Sequence, residues 1–269
     1  MIQKLFPQDY AVSRWSGGTT TQLAIWPPEA RYADRDFLWR VSSATVDLEE
    51  SDFTLLPDYD RLIATLEGEI VLTHNGGGPL TLRPLEVHAF SGADATRSRG
   101  RCRDFNLMLR RGKVTGTMEA LRLTDTPVNL NVGTSIACPP TVPACSAGNL
   151  PADPTQAICS AGNLPANPTH VLLYCVEGAA HIGAAKTSPA CRGGGPASRP
   201  VEGCRPHSAP ASQICHPERS AAEPKDPSYP SISLPSFTLA PGEALLYTET
   251  PPLSLSGPAV LMICRIAET

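Results

Sequence analysis

The stretch DRLIATLEGEIVLTHNGGGPLTLRPLEVHAFSGADATRSRGRCRDFNLMLRR, Asp60 to Arg111, reads as short apolar-polar alternations broken by glycine turns. That is the signature of β-strands, because side chains alternate faces along a strand. A worn second copy follows. Leu62–Leu72, with Glu67-Gly68 inside it, matches Val171–Ile182, with Glu177-Gly178. Leu80–Phe90, with Pro84 and Glu86, matches Phe237–Tyr247, with Pro241 and Glu243. Asp104–Arg110 is set against Ala259–Arg265. The order is the same in both copies, so a β unit repeated twice predicts two similar β-barrels side by side in an all-β chain. The shift is 110 positions at Gly68/Gly178 and 157 at Pro84/Pro241, which places an insertion of 47 residues (157 less 110) between Gly178 and Phe237.

Outward from the repeat, Asn75-Gly-Gly-Gly78 is a hairpin turn. Upstream, Phe37-Leu-Trp-Arg-Val-Ser-Ser-Ala-Thr-Val46 alternates, with Arg40, Ser42, Ala44 and Val46 on one face and Trp39, Val41, Ser43 and Thr45 on the other. An arginine in mid-strand among large apolar residues is costly if buried without a partner, so Arg40 calls for a carboxylate, a ligand or solvent. Pairing of Arg40 with Asp104 or Glu67, purely to hold strands, is the structural alternative. Asp104 and Asn106 share one face of their strand, opposite Phe105 and Leu107, and line a lumen beside Arg40 or cap the barrel end. Arg97, Arg99, Arg101 and Arg103 recur at period 2: a solvated, charge-protected edge or an anion-attracting rim. In Trp15-Ser-Gly-Gly-Thr19-Thr-Thr the paired glycines predict a tight turn with hydroxyls after it. No Lys follows and no helical period opens, so it is not a phosphate cradle.

The chain has 269 residues, 41% hydrophobic, with 28 prolines and a net charge of −4. That charge argues against nucleic acid as a partner, and no apolar run is long enough to cross a membrane as a helix. The first residues lack the apolar core of a signal peptide, so a cytoplasmic location is expected. Nine cysteines, an odd number with no C-x-x-C, read as free thiols. Cys204, His207, Cys215 and His216 match no zinc-site spacing. Two barrels are expected over residues 1–115 and 116–269, the second interrupted at 138–169 and 184–235. Cys145–Thr155 recurs almost unchanged as Cys159–Thr169, a recent tandem duplication. These Pro-, Gly- and Ser-rich segments are expected to be disordered, because they offer too little apolar area to offset the entropy of ordering.

Trp15-x-Gly-Gly-x-Thr20, Phe37-x-Trp-Arg-Val-Ser-x-Ala44, Phe53 to Arg61, Leu66-Glu-Gly68, Phe90-x-Gly92 and Asp104-Phe-Asn106-x-Met108 resemble the HutD/Ves family of bacterial proteins. The resemblance covers residues 1–115 well and the rest loosely. It implies a bicupin, two jelly-roll barrels in one chain, with a link to histidine utilisation or stress response. Metal-binding cupins carry His-x-His and Glu before the glycine of their first motif and a further His after Pro-x-Gly. Upstream of Gly68 this chain has no histidine between Phe53 and Glu67, and the later motif puts His88 one place before the expected ligand position, on the other face. No metal and no cofactor are expected. Three functions stand side by side: a metal-free binding protein for a small anionic metabolite, a metal-independent enzyme using an acid-base pair from Asp104, Glu67 or His88, or an interaction scaffold with filled barrels. For the first, Arg40 and Arg61 are the candidate carboxylate partners. Ser42, Asp104, Asn106 and Thr19 would orient the ligand, and Trp15 and Trp39 would form an aromatic wall. A homodimer is compatible with the sequence.

Overall fold

Glycine turns and alternating strands assemble into sheets throughout. The computed structural model describes residues 2–130, 157–162, 168–185, 235–248 and 252–269, and of 157–162 the backbone only. The first half carries β1 (Ile2–Leu5), β2 (Ala11–Trp15), β3 (Gly18–Trp26), β4 (Trp39–Val46), β5 (Glu50–Asp52), β6 (Tyr59–Glu67), β7 (Ile70–His74), β8 (Leu80–Leu82), β9 (Val87–Ser91), β10 (Thr96–Arg99) and β11 (Cys102–Arg110). The second carries β12 (Val114–Leu123), β13 (Val128–Leu130), β14 (Ala157–Gly162), β15 (His170–Gly178), β16 (Ala180–Ala184), β17 (Phe237–Leu239), β18 (Ala244–Thr248), β19 (Leu253–Ser256) and β20 (Ala259–Glu268). The chain is all-β, with two single-turn 3-10 segments, Pro7–Asp9 and Tyr32–Asp34, and no α-helix among the described residues.

The sheets pair off. In the first half, β2-β3-β4-β11-β6-β9 faces β5-β10-β7-β8; in the second, β14-β12-β20-β15-β18-β1 faces β13-β19-β16-β17. Five strands of each large sheet correspond, β3-β4-β11-β6-β9 to β14-β12-β20-β15-β18, and all four of each small one, with β2 and β1 left without counterparts. One hydrogen bond carries both sequence shifts at once. Leu85 N donates to Thr65 O at 2.7 Å in the first copy, and Gly242 N donates to Cys175 O at 2.8 Å in the second, 157 and 110 positions on. Leu85 and Gly242 both have positive φ, 68° and 85°. Beside them Arg83 N donates to Glu86 Oε2, and Ala240 N to Glu243 Oε2. Gly68 and Gly178 turn at φ 77° and 76°, and a Cβ there would lie 2.4 Å from Arg101 O and 1.9 Å from Pro258 O, so only glycine fits.

The third match needs a correction of two residues. Asp104 is opposite Thr65, and the counterpart of Thr65, Cys175, is opposite Leu261 rather than Ala259. Asn106 therefore corresponds to Ile263, and Met108 to Arg265. Aligning Arg110 with Arg265 on chemical identity produced the slip.

Two further features depart from the strand-by-half order. β1 joins the second half's sheet through β18, with Ile2 opposite Tyr247 and Leu5 opposite Ala244. Residues 157–162, inside a segment expected to be disordered, form strand β14 on β12. The stretch Ala157-Ile-Cys-Ser-Ala-Gly162 has no proline and sits at a sheet edge, where few ladder bonds are required. Apart from 168–169, 184–185 and 235 at their edges, where Ala184 ends β16, the rest of the two insertions, with Cys204, His207, Cys215 and His216, lies outside the described residues.

The backs of the two six-stranded sheets share one apolar cluster, with Trp39, Val41, Leu62 and Phe105 on one side and Leu172, Met262, Cys264 and Ile266 on the other. The interior of the second half is filled by Leu121, Leu173, Leu239, Leu255, Leu261 and Ile263. The interior of the first half is different.

Candidate functional site

Strand alternation brings one polar cluster to the inner face of the first half's large sheet. Gln22, Arg40, Ser42, Arg61, Asp104 and Asn106 come from four adjacent strands, β3, β4, β11 and β6. Arg40 is 4% exposed and Arg61 6%. Arg40 Nε donates to Gln22 Oε1 at 2.8 Å and its Nη1 to Ser42 Oγ at 3.1 Å. Arg61 Nη2 donates to Asn106 Oδ1 at 3.0 Å. Asp104 Oδ1 accepts from Ala44 N at 3.0 Å. The pairing of Arg40 with Asp104 or Glu67 is not formed: Arg40 is held by neutral groups, and Glu67 is paired with Arg103. Among the described residues neither Arg40 nor Arg61 is in an ion pair. Arg61 Nε and Thr65 Oγ1 are buried without a hydrogen-bond partner.

Aromatic rings complete the wall. Arg61 lies between Phe53 and Phe90, 5.0 Å from each centroid. Tyr32 is stacked between Arg40 at 4.3 Å and Arg35 at 3.7 Å. Beside Phe90, His74 and His88 face each other with Nε2 atoms 3.0 Å apart. Thr96 Oγ1 donates to Asp94 O, so it receives His74 Nδ1–H at 2.8 Å, which leaves His74 Nε2 to accept from His88 Nε2–H. The tautomers follow from that network.

Burial governs the electrostatics. It lowers the Arg40 pKa to about 10, with the nearby Arg35 and Arg61 charges adding to the fall. It lowers Arg61 as well. It pushes the Asp104 carboxyl up to about 6, against the pull of Asn106, the Ala44 N–H and the two arginines. Two guanidiniums against one reluctant carboxylate leave this interior positive.

The HutD family model matches residues 7–138. Over that span, about half its length, the chain belongs to the HutD family. Similar solved structures include a conserved protein of unknown function from Pseudomonas aeruginosa PAO1, 18% identical with a TM-score of 0.60, covering 99% of this chain and 98% of that one. HutD from Pseudomonas fluorescens SBW25, solved in a formate condition, is 16% identical with a TM-score of 0.57 and covers 100% of both chains. Ylba from Escherichia coli is 7% identical with a TM-score of 0.52, covering 99% and 90%. At these identities the likeness is one of fold.

In this HutD chain five of the eight expected site residues, Arg40, Ser42, Arg61, Asp104 and Asn106, meet in one place. Three do not. Trp39 is one residue from Arg40, so it points to the opposite face, where it is fully buried against Trp26 and His170. Trp15 ends the exposed strand β2 and is 39% exposed. Thr19 faces a separate cleft of about 260 Å³ with Tyr10, Arg103 and Tyr174. The aromatic wall is instead Tyr32, Phe53 and Phe90. The Phe53 and Phe90 signals, each leading into or out of the repeated unit, were present but could not be joined without the barrel.

The arginine series is not a free rim. Arg97 and Arg99 pair with Glu50, Arg101 with Glu49 and Arg103 with Glu67. His88 does not face away. It is opposite Ile63, on the inner face, because the left-handed turn residue is Leu85, one place earlier than a Pro-x-Gly motif would put it. Even so, no group of three or more His, Cys, Asp or Glu among the described residues is placed to hold a metal. His74 and His88 offer two imidazoles, and Arg61 and Ile63 stand opposite, so the donor set does not fit the resident ion of a metal-binding cupin. No helix among the described residues is long and apolar enough to cross a membrane.

Proposed function

We propose that this HutD-family chain is a metal-independent, cupin-type binding protein for a small carboxylate, acting as a regulator in amino-acid, specifically histidine, breakdown. The observation that carries the reading is the pair Arg40 and Arg61: buried, held by neutral partners, and outnumbering the single carboxylate Asp104. A buried guanidinium without a counter-charge is unfavourable, and an anion that forks onto it contributes roughly 1.5–3 kcal/mol. Arg61 Nε, with no partner, is a donor such an anion would meet. Ser42, Asn106 and Thr65 supply polar contacts, and Phe53 and Phe90 exclude water from the guanidinium faces. The link to histidine breakdown rests on the family.

The test is a thermal-shift screen of small mono- and dicarboxylates and histidine-pathway metabolites, with and without EDTA. A selective rise in melting temperature, unchanged by EDTA and lost in Arg61→Met, is the expected result. A flat screen would turn the reading toward a scaffold, which the apolar interior of the second half already resembles.

A metal-independent enzyme is the second reading, favoured by one observation: the directly hydrogen-bonded His74–His88 pair, an ionisable pair inside one interior. Solvent-deuterium exchange into a bound carboxylate, lost in His88→Gln, would decide for it.

A further inference from the structure

Asn106 stands between the two charges of opposite sign in the first interior. Its Oδ1 accepts from Arg61 Nη2 at 3.0 Å, and it lies two residues along β11 from Asp104, whose carboxylate accepts from Ala44 N. A primary amide has one acceptor end and one donor end. Here the acceptor end is committed to Arg61: turned over, the amide would set N–H groups against the guanidinium. Alternation along β11 puts residues 104, 106 and 108 on the same face, and across on β6 Arg61 is opposite Met108 while Thr65 is opposite Asp104. The amide therefore sits on the inner face between the strand levels of Arg61 and Asp104. On β6 itself, Arg61 Nε and Thr65 Oγ1 are left without partners.

We propose that Asn106 is a positioning residue, an amide spacer that keeps Arg61 and Asp104 from forming an ion pair and so keeps an edge of the Arg61 guanidinium available to an anion. The inference rests on the carboxylate-binding reading above. Were a carboxylate at position 106, it would fork onto Arg61, neutralise it and occupy the donors a ligand needs. With the carboxylate one step further along β11, the guanidinium is oriented by a hydrogen bond and retains its charge. Asp104 in turn faces Arg40 from β4, Arg61 from β6, the Ala44 N–H and the Cys102 thiol on its own strand. Its burial leaves it a weaker counter-charge than an exposed aspartate.

The test is the exchange variant Asp104→Asn with Asn106→Asp, which keeps the formal charge and moves the carboxylate by two positions. Succinate affinity by calorimetry at pH 7.5 and titration of the labelled aspartate carboxyl by ¹³C NMR are read in both proteins. Succinate binding should be at least tenfold weaker in the exchange variant. The carboxyl introduced at position 106 should titrate below the ordinary aspartate range, and Asp104 of the unaltered protein above it. Binding within twofold of the unaltered protein overturns the proposal. So does a low Asp104 titration in the unaltered chain, since that marks a direct pair with Arg61. If the unaltered protein does not bind succinate, the carboxylate reading fails and the carboxyl titrations alone decide the spacer: Asp104 high sustains it and Asp104 low overturns it, whether or not the variant folds.

Discussion

Replacing Arg61 by methionine keeps most of the side chain's bulk and removes the charge. Carboxylate affinity measured by calorimetry should fall at least tenfold, the loss of about 1.5–3 kcal/mol in a charge-assisted contact. Stability should hold or rise, because a buried charge gives way to an apolar side chain among Phe53, Phe90 and Met108. A large fall in melting temperature would instead make Arg61 structural. Asp104 supplies a pH signature. Its folded pKa, about 6, is above its ordinary 3.8, so the folded state holds the proton more tightly than the unfolded chain. Stability is therefore greatest below pH 4 as far as this group is concerned, declines between about 4 and 6, and is level above. The full span is on the order of 3 kcal/mol. Asp104→Asn should gain stability relative to the unaltered protein as urea denaturation is repeated from pH 4 to pH 7. Binding has the same sign: an ionised Asp104 repels an incoming carboxylate, so affinity should weaken as pH rises through about 6 and the slope should flatten in Asp104→Asn.

Strands show where alternation carried the reading and where it could not. The repeat was legible because Gly68 and Gly178, and the turns at Leu85 and Gly242, impose backbone conformations that survive loss of side-chain identity. The inner face of β4 was legible too, since Arg40 and Ser42 alternate cleanly with Trp39 and Val41. The same alternation should have removed Trp39 from the site. Tyr32, Phe53 and Phe90 were not recognisable as neighbours, because their meeting depends on sheet closure rather than on any local period. The two-residue slip on β20 hid a different pair: Arg265 and Glu119 are 0% and 1% exposed and in direct contact inside the second half. Glu119→Leu alone should destabilise by about 3–5 kcal/mol in urea denaturation, because it strands a buried guanidinium. Adding Arg265→Met should restore most of that. If the double variant is no better than the single one, Arg265 has a role beyond the pair.

At the scale of the whole molecule, two equivalent strand arrangements hold unlike interiors. Where the first has Asp104, Asn106 and Arg61, the second has Leu261, Ile263 and Val171. The frame occurs twice; the first holds the cluster of Arg40, Arg61, Asp104 and Asn106, and the second an apolar interior broken by the Arg265–Glu119 ion pair. A bound carboxylate should accordingly slow amide exchange in β4, β6 and β11 and leave β15 and β20 unchanged, measured by hydrogen–deuterium exchange. Equal protection of both halves would relocate the site to the cleft between them, near Tyr10 and Tyr174. The first strand of the chain completes the last sheet, and this sets an order of events during synthesis. Residues 2–5 leave the ribosome some 240 positions before Ala244–Tyr247, the partners they need. Translation must nearly finish before β1 can settle, so the N-terminal segment waits as an unpaired strand throughout elongation, and a bulky fusion at that end would be carried into the edge of the second sheet.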